Sequence, residues 1–270
     1  MRRIIVLTIV FSFLLASCSA PSTVKNDVVK RENTAFGEWD IPNYFIPKKV
    51  HVVGLGDSLT QGVGDERKKG GYFGRVSHRM ESWKGVEEIQ ADNLSKRGRR
   101  SDQLIDQLES PEIQAELKKA DVIYLTIGGN DLMKVMKANL FDLKMKPFYI
   151  ELGKFENRLD EIFTILRALN GDAIIVVAGL YNPFTIVMDE VKEFDDILED
   201  WNTAIEGRAM VDGKTCFVPV IDLFDSNANM VYHTDFFHPN AKGYDLMANR
   251  FLDQLQACGL EKLSDGELEM

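Results

Sequence analysis

The sequence predicts a three-layer α/β/α sandwich around a five-stranded parallel sheet. Five short runs read as buried strands, and stretches with apolar residues at helical spacing separate them. Strands that are apolar at successive positions are covered on both faces, which implies parallel pairing with helices above and below. A chain of 270 residues, 45% of them hydrophobic and 27% charged, suits one such domain with a real core.

The elements follow in order. Arg2-Arg3 and the apolar run Ile4 to Ala16 read as the positive and hydrophobic regions of a secretory leader, the run being too short to span a bilayer. Leu15-Ala16-Ser17-Cys18 resembles a bacterial lipobox, which implies cleavage before Cys18 and lipidation of its thiol. Residues 1–17 are therefore expected to be a leader. Residues 18–47, polar and broken by Pro21, Pro42 and Pro47, are expected to be a flexible tether. The protein would be extracytoplasmic and anchored to the cell membrane.

Val50 to Leu55 opens the domain as a Val-rich strand, and Tyr72 to Trp83 follows as a helix. Glu87 to Asn93 gives a second strand, and helices are expected from Ser101 and from Ser110-Pro111. Asp121 to Ile127 is a third strand, stopped by Gly128-Gly129. Leu152, Phe155, Leu159, Ile162, Phe163 and Leu166 mark a helix ended by Asn170-Gly171. Ala173 to Ala178 and Cys216 to Val220 complete the sheet, with Phe194 to Ile205 helical between them. Tyr244, Met247, Phe251, Leu252 and Leu255 share one face of a last helix, stopped at Gly259. The domain is expected to span 48–260, with 261–270 as a C-terminal tail.

Charge and cysteines narrow the function. The net charge is −10, and loss of Arg2 and Arg3 with the leader would leave −12, from 30 basic against 42 acidic residues. So acidic a chain lacks the basic footprint that nucleic acid requires. Besides Cys18 only Cys216 and Cys258 remain. Cys216 sits in an apolar run and is expected to be a buried free thiol, with a disulfide left open. Neither cysteine has a metal-ligand spacing with histidine, so no metal site is expected.

The polar residues that chemistry would use gather at predicted strand ends, where parallel α/β sheets build their sites. The first strand runs into Gly56-Asp57-Ser58-Leu59, the second into Asn93 to Gly98, and the third into Gly128-Gly129-Asn130-Asp131. Asp235-Phe236-Phe237-His238-Pro239 precedes the last helix. Singly each is a common turn or cap. Together, in this order, they resemble the four blocks of the SGNH hydrolases, the GDSL-like lipase/acylhydrolase family, over roughly Val50 to Leu255.

That resemblance implies a flavodoxin-like sheet and hydrolysis of carboxylic esters without a cofactor. It makes Ser58 the nucleophile, His238 the general base and Asp235 the group that orients the imidazole. It assigns the oxyanion-holding donors to the backbone N–H groups of Ser58 and Gly98 and the side-chain amide of Asn130. Gly98 suits close approach of backbone to ligand. The α/β-hydrolases are the rival, and they need Gly-x-Ser-x-Gly at the elbow. Here Leu59-Thr60 follows Ser58 and the second glycine is missing.

Asp57 is expected to brace its turn, and Asp131 to cap a helix. Asp222 and then Asp225 are the substitutes should Asp235 lie far from His238, while His51, His78 and His233 are weaker bases. Ser95 stands where many family members carry a further glycine. Lys96, Arg97, Arg99 and Arg100 surround Gly98 and read either as a solvated loop or as an attractor for an anionic head group or polymer. Leu132 to Pro147, with Met133, Met136, Leu140, Phe141 and Met145, reads as core packing or as an acyl-binding wall. The expected partners are an ester substrate (acyl lipid, lysophospholipid or acetylated polysaccharide) and a membrane. A non-catalytic lipoprotein binding wall or lipid ligands through the same cleft is the reading from another class.

Overall fold

The computed structural model describes residues 41–139, 144–182, 192–224 and 230–270. The expected leader, the Cys18 lipidation site and the tether up to residue 40 lie outside them, as do Leu140, Phe141 and Asp225. Within them no helix is long and apolar enough to cross a membrane.

Five strands form one all-parallel sheet: β1 (Lys48–Gly56), β2 (Val86–Asn93), β3 (Val122–Thr126), β4 (Ile174–Ala178) and β5 (Thr215–Val218). Their spatial order is β2-β1-β3-β4-β5. This is the doubly wound order in which the chain leaves β1 for one edge and returns to β3 on its other side, leaving a crevice beyond the carboxyl ends of those strands.

The strand pleat sends alternate residues to opposite faces. Val53, Leu55, Ile123, Leu125, Ile175 and Val177 enter one core, with α3 (Ser101–Leu108), α4 (Pro111–Leu117), α6 (Met145–Leu169) and α7 (Lys192–Met210). Val50, Val52, Val122, Tyr124, Ile174, Val176 and Val218 enter the other, with α2 (Gly71–Met80) and α8 (Ala241–Cys258). A one-turn helix, α1 (Ser58–Gln61), follows β1, and α5 (Gly129–Ala138) follows β3. Edge strand β2 is mostly exposed and carries Glu87 and Glu88, which suits a sheet edge that must not pair with another chain.

The tail expected at 261–270 is packed onto the domain. Leu263, which ends α9 (Leu260–Leu263), and Leu268 are buried, and Glu269 exchanges backbone hydrogen bonds with Lys84 at 2.8 and 3.2 Å. The sequence hides this because the segment is short and polar, with its two leucines too few to show a period.

Cys216 and Cys258 are joined in a disulfide, Cα–Cα 5.9 Å, correcting the expectation of a free thiol at 216. Cys216 is fully buried on β5, but α8 lies across that face of the sheet and ends with Cys258 beside it. Sequence proximity could not reveal a partner 42 residues away. Closing a loop of that length removes about 4 kcal/mol of unfolded-state freedom on the chain-entropy account. Replacing both cysteines by serine is expected to lower the melting temperature by roughly 5–15 °C, and reductant should shift the unmodified protein in the same direction in a thermal melt. An unchanged midpoint in both would show that the bridge contributes nothing.

Candidate active site

Each predicted site residue stands at the carboxyl end of a strand or in the turn before α8. Gly56 pairs with Thr126 across β1 and β3. Its φ of 105° and the position of its absent Cβ, which would lie 1.9 Å from the Thr126 carbonyl oxygen, exclude any other residue there. The chain then turns sharply. The Asp57 N–H donates to the Thr126 carbonyl, and its carboxylate accepts from the Leu59 N–H at 3.0 Å, capping α1. Ser58 opens that helix.

Asp57 does more than brace a turn. Its Oδ1 also accepts from Thr126 Oγ1 at 2.7 Å. With that proton committed, Thr126 Oγ1 accepts from Thr60 Oγ1 and Thr60 Oγ1 from the Tyr72 hydroxyl, both at 2.7 Å. Burial raises the Asp57 pKa to about 6, the hydrogen bonds from Thr126 and Leu59 opposing it. Thr126 and Tyr72 carried no functional signal in the sequence, since a hydroxyl on an apolar strand or helix reads as ordinary packing.

The turn before α8 brings the imidazole to the serine. His238 Nδ1 lies 2.6 Å from Asp235 Oδ2, and Nε2 lies 2.9 Å from Ser58 Oγ. The other carboxylate oxygen, Oδ1, accepts from the N–H groups of Phe237 and His238. Desolvation alone would raise the Asp235 pKa, but these bonds and the imidazole outweigh it and lower it to about 2. A carboxylate so firmly ionised only accepts, so Nδ1 carries the proton and Nε2 is left bare to accept from the Ser58 hydroxyl.

Further contacts hold that turn. The Tyr181 hydroxyl donates to the Phe237 carbonyl at 2.7 Å, and Asn240 caps α8 by accepting from the Gly243 N–H. Beneath it the buried Arg75 guanidinium grips Asp65 at 2.6 and 3.0 Å and Asp245 at 2.5 Å, tying the loop after α1 to α2 and α8. The loop approaches so closely that a Cβ on Gly64 would meet the Pro239 carbonyl at 2.5 Å.

Gly98 lies in the loop after β2 with φ of 78°, a left-handed backbone that suits glycine, and its missing side chain would point into open space. Among the described residues the N–H groups of Ser58 and Gly98 find no acceptor. Asn130, in the first turn of α5, donates through Nδ2 to the Arg99 carbonyl at 3.0 Å, which leaves the second amide hydrogen free and fixes the amide's orientation. That carbonyl was invisible to sequence reasoning, because it acts through backbone.

The expected helix cap at Asp131 is corrected. Gly128 occupies the cap position of α5, and Asp131 is fully buried within the helix. It accepts from the Ser101 N–H at 2.9 Å and the Ser101 hydroxyl at 2.6 Å, with Arg158 3.3 Å away. It thus fastens the start of α3, which follows the Gly98 loop, to α5.

The other candidates fall away from the site. Asp222 pairs with Arg250 at 2.5 and 2.7 Å. His51 donates to Asp92 on the edge strand, and His78 is exposed on α2 beside Glu81. His233 lies in the same turn as His238, 3.8 Å from Asp235 Oδ1. Of the basic cluster, Arg99 is tied inward to the Leu94 carbonyl and Gln107, and Arg100 to Asp102.

A cleft of about 540 Å³, counting its open mouth, starts at Ser58 and Asn130 and is walled by Ile127, Leu132, Met133, Leu180, Tyr181 and Phe237. The segment read as core or acyl wall divides between both, since Met136 is buried in the core while Leu132 and Met133 line the cleft.

Comparison with known proteins gives the family. Residues 55–246 match the model of the GDSL-like lipase/acylhydrolase family. The chain belongs to this family. YpmR, an uncharacterized protein of Bacillus subtilis strain 168, is 37% identical over 218 residues, which cover 79% of this chain and 85% of YpmR. The spore germination lipase LipC of Bacillus licheniformis is 25% identical over 221 residues, 79% of this chain and 98% of LipC. The crystal structure of the lipase Lip_vut3 from a goat rumen metagenome shares the fold, with a TM-score of 0.69 and 24% identity, covering 79% of this chain and 99% of that one. Esterase or lipase activity is thus supported at the level of the family.

The imidazole gives a direct test. Burial lowers the His238 pKa below its ordinary 6.5, and Arg97 and His233 lower it further, while Asp235 opposes them. His238 is therefore expected to titrate with a midpoint below 6.5 in a proton NMR titration. Asp235→Asn, which removes the opposing anion, should move its midpoint lower still, and a midpoint above 6.5 in the unmodified protein would contradict this account.

Proposed function

We propose that the protein is a carboxylic ester hydrolase working through an acyl-enzyme on Ser58. The observation that carries this reading is the continuous chain of hydrogen-bond contacts from Ser58 Oγ to His238 Nε2 and from His238 Nδ1 to Asp235. The free donors of Ser58, Gly98 and Asn130 and the apolar cleft support it.

An alcohol is a weak nucleophile until its proton is taken during attack. His238 Nε2 accepts that proton as Ser58 Oγ bonds to the ester carbon, and the two electrons of the carbonyl π bond move to oxygen. The resulting oxyanion is met by the backbone N–H groups of Ser58 and Gly98 and the free amide hydrogen of Asn130. Asp235 stabilises the imidazolium. Collapse of the intermediate breaks the bond to the leaving oxygen, which takes the proton from His238. Water then repeats the sequence on the acyl-enzyme, and Ser58 recovers its proton. The acyl group would occupy the cleft walled by Leu132, Met133 and Leu180.

We further propose that the leader is removed before Cys18 and that its thiol is lipidated, placing the enzyme on the outer face of the cell membrane. The lipobox-like Leu15-Ala16-Ser17-Cys18 supports this. An unmodified thiol at Cys18 in the mass of the mature protein would refute it.

Turnover of p-nitrophenyl acyl esters tests the mechanism. Ser58→Ala should abolish it, Asp235→Asn should lower kcat by about 10⁴, and Asn130→Ala by about 10²–10³. Because only neutral imidazole accepts the serine proton, activity should be full at neutral pH. It should fall as pH drops through the depressed His238 pKa, with the acid limb centred below 6.5. Undiminished turnover by Ser58→Ala would overturn the mechanism.

A further inference from the structure

Four cations cluster around Gly98, and the structure divides them. Arg99 and Arg100 are committed to protein partners. Lys96 and Arg97 are exposed, and among the described residues their side chains have neither an ion pair nor a hydrogen bond. Their backbones, by contrast, are held: the Lys96 N–H donates to the Gly56 carbonyl at 2.9 Å and the Arg97 N–H to Gln61 Oε1 at 2.7 Å. Two unpaired cations therefore project from a fixed wall, one of them next to an oxyanion donor.

An acidic protein has many carboxylates with which to neutralise exposed cations, and with a net charge of −10 this one leaves these two unneutralised. Charges act over about 8 Å at physiological ionic strength, so what a substrate meets at the mouth is the local field. Arg97 contributes a positive charge to it, close enough to oppose protonation of His238.

The direction matters. The leaving oxygen takes its proton from His238 Nε2, so the alcohol part of an ester departs past the imidazole, on the side where Arg97 acts. The cleft that opens at Ser58 has apolar walls that suit the hydrocarbon of an acyl group.

Resting on the hydrolase reading above, we propose that Arg97, with Lys96, forms a subsite for an anionic group on the alcohol part of the ester, so that the preferred substrates are acyl esters of phosphorylated alcohols. Arg97 is the better reader of the two, because its planar guanidinium meets two phosphate oxygens at once. Lys96 supplies a point charge.

The test uses two soluble esters with the same short acyl chain, one on glycerol and one on glycerol phosphate, kept below their aggregation limits so that no lipid surface contributes. The purified protein should show a kcat/KM for the phosphorylated ester about tenfold above that for the neutral one. Arg97→Gln should bring that ratio near unity, Arg97→Glu should invert it, and Arg97→Lys should restore part of it. Removing this charge should also move the acid limb for the neutral ester to higher pH, a change that loss of a merely structural residue would not produce. Inorganic phosphate should inhibit the phosphorylated ester competitively and lose that effect in Arg97→Gln. An equal rate on both esters, or a preference that survives Arg97→Gln, would overturn this inference alone. Hydrolysis of neither ester, with no release of p-nitrophenol from an acyl ester, would overturn the hydrolase reading and this one with it.

Discussion

The close approach of Gly56 to Thr126 is the constraint on which the site depends. It lets β1 end against β3 with no side chain between them, so the Asp57 N–H can reach the Thr126 carbonyl and the carboxylate can accept the Thr126 hydroxyl proton. Two strands are thereby locked at their carboxyl ends, and Ser58 is delivered to the crevice at the start of a helix. The cost is a buried carboxylate whose pKa has risen to about 6. The directional chain Tyr72, Thr60, Thr126 offsets it, each hydroxyl giving its proton toward the anion. A buried polar network of this kind is tolerable because every member is satisfied.

The second half of the site is held by a different device. His238 lies 180 residues beyond Ser58, in a turn outside the parallel sheet that is closed by the Tyr232–Pro239 bridge. The Arg75 guanidinium ties the elements on either side of it together. Buried and bonded to Asp65 and Asp245, it joins the loop after the serine to the helix after the histidine. Breaking such a pair leaves an uncompensated buried charge, so the alternative to the native spacing is strongly disfavoured. The serine and histidine blocks are thus coupled through a residue that touches neither.

What the sequence made legible follows from how the information is stored. Strands β1, β3 and β4 announced themselves because burial on both faces leaves only apolar residues, and the four motif blocks were readable because catalysis depends on side-chain identity at strand ends. The Cys216–Cys258 bridge, the docked segment around Leu268 and the role of Asp131 were not, because each depends on which helix crosses which strand. Asp131 is instructive. Asn130-Asp131 after Gly-Gly reads as a cap by local rules, yet the buried Ser101 N–H gave the carboxylate a better partner than the helix end could. Local propensity lost to tertiary contact, as it does wherever a long-range donor is otherwise unsatisfied. The partners of Asn130 and Arg97 were hidden for another reason. They are a backbone carbonyl and the amide of Gln61, and neither leaves a signature in residue type.

The same loop shows how electrostatics can be divided within a few residues. From Lys96 to Arg100 the cations divide by task. Arg99 and Arg100 are bonded to protein partners, and the Arg99 carbonyl orients Asn130, while Lys96 and Arg97 face outward. On the proposed mechanism the Arg97 charge acts on both ends of the reaction. It opposes a positive imidazole, and it would favour the negative transition state of an oxyanion held beside Gly98. An exposed cation is weak in water but stronger against a charge that develops in a cleft from which solvent is partly excluded. Placed one residue from the proposed oxyanion donor Gly98, it would tie substrate charge, base pKa and transition-state stabilisation to a single short segment.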